Sequence, residues 1–168
     1  MKRKMILISL MAAVLILVTG CISSPEKAED LGSHENGDLP YEWSAVYELD
    51  QGAYKLEFQE SEHDPSIKIA FLLEGPNRDE LDHLAYHIME VDSEEFQAGS
   101  IFKVQDQYAY NLQLNSEGTH FFMVVDEPGR YVVYTEHFAW EFNMLISDEE
   151  GNEVPGENSV EHTEPHSH

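Results

Sequence analysis

This chain is poor in cysteine and, beside its acids, in basic residues. Its 168 residues contain a single cysteine, Cys21, so no intramolecular disulfide can form and no multi-sulfur metal site can be built. Any metal must be held by His, Asp and Glu. Only nine Lys and Arg oppose 33 Asp and Glu, giving a formal charge of -24. That balance repels nucleic acid and anionic surfaces and draws cations. Also missing are a Gly-x-Ser-x-Gly elbow and a phosphate-cradling Gly loop. The chain is therefore expected not to be an enzyme. The longest apolar run, Met5 to Val18, falls short of the roughly 20 residues that a membrane-spanning helix needs.

That run has a different reading. Met1-Lys2-Arg3-Lys4 is a basic start, the apolar segment follows, and Val18-Thr19-Gly20-Cys21 ends it with small residues before the cysteine. This is the layout of a secretory leader, and its last four residues resemble the bacterial lipobox, in which the cysteine is diacylated and becomes the new N-terminus. The expectation is a lipoprotein signal peptide over 1–20, lipidation at Cys21, and an extracytoplasmic chain held to the cell membrane by lipid. Loss of Lys2, Arg3 and Lys4 would leave six basic residues against 33 acids, a charge of about -27.

Residues 21–40 contain Ser, Pro, Gly, Asn and acids with almost nothing to bury, and read as a flexible acidic tether. Residues 156–168 have a similar composition and end EHTEPHSH, which reads as a disordered His- and Glu-rich tail. The intervening residues 41–155 suffice for one domain with a single core. Within it Trp43, Ala45, Tyr47 and Leu49 recur at every second position, as do Tyr54, Leu56 and Phe58, then Ile67, Ile69, Phe71 and Leu73. That period of two predicts strands. Further strands are predicted over 101–104, 108–114, 119–125, 131–135 and 142–147, separated by acidic Gly turns. One segment differs. Leu81, Leu84, Ala85, Ile88 and Met89 recur at helical spacing after Asn77, with Glu80 three residues on, predicting an Asn-capped helix near 78–91.

Two stretches run in parallel. Residues 44–77 and 119–152 each contain a strand, an acidic Gly turn, a Gly-x-Tyr strand, a Glu-His pair and a further strand. The economical reading is a mainly β fold, a two-sheet β-sandwich with an internal pseudo-repeat and one helix.

The repeat sets Glu62-His63 and Glu136-His137 at comparable corners, and Glu141 stands four residues after His137. Imidazole and carboxylate suit zinc, nickel or copper, and a spacing of four shares a face on a helical turn or a strand. His63, Glu136, His137 and Glu141 are thus metal candidates. His162, His166 and His168 form a short His-rich tract of the kind that binds metal without a preformed site. Weaker candidates are His83 and His87 with Glu90. Their spacing can clamp a cation, but Leu84 occupies the place of the catalytic Glu in His-Glu-x-x-His, and a solvated polar face is the simpler account.

Gly129-Arg130-Tyr131-Val132-Val133-Tyr134-Thr135-Glu136-His137, followed by Glu141-Phe142, resembles the Gly-x-Tyr-x-x-Phe-Thr-Glu-His-x-x-x-Glu-Phe signature of small secreted bacterial metal-associated domains. Trp43, Gly52-Ala53-Tyr54, Phe58 and 64–68 add to it. Members of that family often end in His-rich tails and are linked to zinc or nickel uptake. The resemblance implies a metal site at Glu136, His137 and Glu141. Tyr134 replaces the signature's Phe, and Phe138-Ala139-Trp140 lacks the Pro common between its His and Glu, which puts the shape of the loop in question. The resulting expectation is a lipid-anchored protein binding a divalent metal, Zn²⁺ before Ni²⁺ or Cu²⁺, for capture or delivery to a metal transporter. The alternative is a β-sandwich interaction or adhesion module of the envelope with no metal role.

Overall fold

The computed structural model describes residues 39–59 and 64–162. The leader, Cys21, nearly all of the tether, His63, His166 and His168 lie outside the described residues.

Ten strands and one helix follow in order: β1 (Trp43–Leu49), β2 (Gly52–Phe58), β3 (Ser66–Leu73), α1 (Arg78–Glu90), β4 (Glu94–Phe96), β5 (Ile101–Val104), β6 (Tyr108–Gln113), β7 (Thr119–Val125), β8 (Gly129–Thr135), β9 (Leu145–Ser147) and β10 (Glu157–Glu161). They form a β-sandwich. The larger sheet has the order β10-β1-β8-β3-β6-β4 and the smaller one β5-β7-β2-β9. Two apolar clusters divide the interior. One lies between the sheets and includes Leu56, Ile69, Phe71, Phe121, Tyr131 and Ile146; the other includes Val46, Leu72, Val132 and Tyr134 with Ala85 and Met89 of α1. The larger sheet is therefore covered on both faces.

This layering explains the strand sequences. β8 is buried at five consecutive positions because it faces the other sheet on one side and the second cluster on the other. β7 instead alternates buried and exposed, because its outer face meets solvent.

The pseudo-repeat appears as an interlock. β1 and β3 of the first unit flank β8 of the second, while β7 and β9 of the second flank β2 of the first. The short connections after β1 and after β7 therefore cross from one sheet to the other and do not close hairpins. Each unit places its middle strand between the outer strands of its counterpart.

Helix α1 starts as the sequence predicts, with a variation. The Asn77 side chain accepts from the Asp79 amide at 3.2 Å, and its Nδ2 donates to Glu80 Oε1 at 2.8 Å, joining cap and N3 residue side chain to side chain. At the other end Lys68 Nζ donates to the carbonyls of Met89 at 2.9 Å and Val91 at 3.0 Å. A cation on the last carbonyls suits the negative end of the helix dipole.

Two boundaries are corrected. β9 covers only Leu145–Ser147, because residues 138–143 form tight turns in which Glu141 N donates to Phe138 O and Met144 N to Ala139 O, each at 3.0 Å. The expected disordered tail from 156 is also displaced, since Glu157–Glu161 pair with β1 as the edge strand β10. All five β10 residues are exposed, so no burial pattern announces the strand.

Candidate metal centre

Strand pairing assembles the site. Trp43 on β1 and Ile69 on β3 are both opposite Thr135, the last residue of β8. Glu42, one residue before β1, is pinned by its amide to Thr135 O at 3.0 Å and by its carbonyl to the His162 amide at 2.7 Å. Thr135 Oγ1 donates to His137 O at 2.6 Å, which fixes the backbone carrying the imidazole. The turn beyond is anchored by buried Ala139 and Phe142, and it brings Glu141 back beside His137.

The result is a group of three. Glu42, His137 and Glu141 each offer a ligand atom, and these atoms all lie within 4.8 Å of one another. His137 Nδ1 is 3.7 Å from Glu42 Oε2. On the other side of the ring, Nε2 is 3.8 Å from Asp64 Oδ1. Phe142 backs the imidazole at 5.9 Å between ring centres. Side-chain exposure of 33% at His137 and 44% at Glu42 leaves the group open to an incoming ion.

The donor set suits zinc. Tetrahedral ligand atoms at zinc bond lengths of about 2.0–2.1 Å stand roughly 3.3 Å apart, so small side-chain rotations would close the group. Two carboxylates would balance a divalent charge. The contacts of the ring also divide its two nitrogens: Nδ1 faces the carboxylate that shares its ligand group, and Nε2 faces Asp64, in the position of an orienting outer carboxylate.

The predicted residues separate into groups. His137 and Glu141 come together. Glu136, adjacent in sequence, points elsewhere: its Oε2 accepts from the Lys68 amide at 3.1 Å, and it is not in the group of three. His162 lies apart from this group: its Nε2 sits 2.8 Å from buried Ser44 Oγ and its ring meets Tyr41 edge-on at 4.8 Å. His83 and His87 share a face of α1, whereas Glu90 engages the Tyr86 hydroxyl and raises its pKa. Sequence reasoning missed Glu42 and Asp64. They reach His137 only through the pairing of β1 and β3 with β8, and no local motif marks them.

No family model matches the chain, no curated protein is significantly similar to it, and no solved structure matches its fold.

Proposed function

We propose that this chain is a lipid-anchored extracytoplasmic protein that binds a divalent d-block cation, zinc foremost, for capture or delivery to a transporter. The carrying observation is the convergence of Glu42 and Glu141 on His137. The surplus of acids supports the reading, since it raises the local concentration of cations. The resemblance of residues 129–142 to secreted metal-associated domains supports it too. The anchor rests on the leader and Cys21: replacing Cys21 by Ser should abolish acyl labelling and release the protein from membranes.

The chain carries its own reporter of metal binding. Its two tryptophans, Trp43 and Trp140, are the sequence neighbours of Glu42 and Glu141. Zinc added to the full chain should change tryptophan fluorescence and raise the melting temperature, with about 2.7 kcal/mol of added stability at a hundredfold excess over Kd. His137→Ala should remove the fluorescence response while leaving the metal-free melting temperature within a few degrees. Zinc that binds without touching either signal would overturn the site.

A second reading has one observation in its favour. Among the described residues nothing covers the outer face of the smaller sheet, where Ile101 is 66% and Phe122 40% exposed. Beside them a groove of about 490 Å³ is lined by Ala53, Lys55, Phe122 and Leu145. Such a face suits an envelope partner. Protein crosslinking that depends on Phe122 and ignores zinc would favour this interaction module.

A further inference from the structure

Helix α1 carries an imidazole arrangement independent of the loop after β8. His83 and His87 are four residues apart and lie on one face. Their Nε2 atoms are 3.2 Å apart, with the rings nearly perpendicular at 88° and their centres separated by 4.6 Å. That separation is the useful number. A cation bonded to both nitrogens at about 2.0–2.1 Å would see an N–metal–N angle of about 100°, near the tetrahedral value. The pair is already spaced as a chelate.

The surroundings fit this use. The helix is capped at Asn77 and held at its far end by Lys68, so a secured backbone sets the bite. In the pair as it stands, one Nε2–H donates to the other Nε2. Coordination needs the donating ring to carry its proton on Nδ1 instead, a tautomer change through solvent, and the rings to turn so that both Nε2 lone pairs meet at one ion. Nearby acids supply field more than ligands: Asp82 is engaged by Arg78 and Tyr134, and Glu90 by Tyr86. Among the described residues the only three-ligand group is the one at His137, so α1 offers two nitrogens and leaves the remaining positions to water or an incoming donor.

We infer that His83 and His87 form a two-nitrogen chelate for a divalent d-block cation, a second and more exchangeable site than the one at His137. A two-point site with open coordination positions loads and releases its ion readily, and its exposed side is accessible to a donor from another molecule.

The test is a zinc titration of the full chain, read from the imidazole ¹⁵N signals, with Mg²⁺ and Ca²⁺ as oxygen-preferring controls. The Nε2 signals of His83 and His87 should move together with one midpoint in zinc and stay still in the controls. His87→Ala, an exposed change that favours helix, should weaken zinc binding at His83 at least tenfold, and His83→Ala should do the same at His87. If either nitrogen stays still at saturating zinc, or if each variant leaves the other's midpoint within twofold, the chelate does not exist. His137 is read in the same spectra, so failure at one site is distinguishable from failure at the other.

Discussion

Ser44 Oγ lies 2.8 Å from His162 Nε2, which ties the last described residue to the second residue of β1. The same Oγ accepts from Arg78 Nη2 at 2.5 Å, and Arg78 Nε donates to Asp82 Oδ1 at 2.9 Å. Tyr134 OH donates to that carboxylate oxygen at 2.7 Å, and Tyr41 OH to the Asp82 carbonyl at 3.0 Å. Arg78 can only donate, so Ser44 Oγ accepts from it and still has its own hydroxyl proton to offer Nε2 of a neutral His162. Helix, two strands and the end of β10 thus meet in one partly buried polar network.

This network makes stability depend on pH with a definite sign. Burial lowers the His162 pKa from its ordinary 6.5, with Asp82 opposing and Arg78 adding to the shift. The unfolded chain then binds the proton more readily than the folded one. The contribution is fully present above 6.5 and is lost as pH falls through the lowered folded-state value. The urea midpoint should drop between about pH 7.5 and pH 5. His162→Gln, which retains a hydrogen-bonding group but does not titrate, should flatten that part of the profile.

Gly156 should tolerate no side chain. A Cβ there would lie 2.9 Å from Tyr47 Oη and 3.3 Å from Ala45 Cβ, and both residues are buried. Gly156→Ala should cost about 1–3 kcal/mol by overpacking. Hydrogen exchange should rise first at the β10 amides paired with β1.

Lys68 joins β3 to the end of α1. Lys68→Met keeps the aliphatic stem and removes the charge, leaving the Met89 and Val91 carbonyls without this donor. Loss of about 1–2 kcal/mol is expected, measured as a lower urea midpoint together with faster exchange in the last turn of α1.

Asp64 should tune the metal without holding it. Asp64→Asn should weaken zinc binding about 10- to 100-fold, the usual size of an outer-shell effect, while the number of bound ions stays the same. A larger loss with changed stoichiometry would make Asp64 a direct ligand.

Local chemistry was legible in the sequence, and chemistry brought in from afar was not. The strand alternation from Trp43 to Leu49 and the Asn77 cap could be read directly, because neighbours in the chain determine them. β10 could not: Glu157–Glu161 has no buried face, and pairing with β1 and the anchoring of His162 create it. His137 and Glu141 were visible as a spacing of four. Adjacency in the chain gives no indication that the Glu136 carboxylate turns to the Lys68 amide. Glu42 and Asp64 stand just before β1 and β3, which are distant in sequence from His137, and reach it through the register of those strands with β8.

The interlock of β2 and β8 also bears on how the molecule can be assembled. A middle strand that finds its neighbours only in the other unit cannot be satisfied while half the chain is missing. As the chain emerges N-terminus first, β1 and β3 must wait for β8, and few contacts form early to pay the entropy of closing such long loops. Folding is thus late and cooperative. The same dependence makes the two halves complementary: a cut within residues 115–118 would leave two pieces, each lacking partners for its middle strand, that regain the sandwich only by joining.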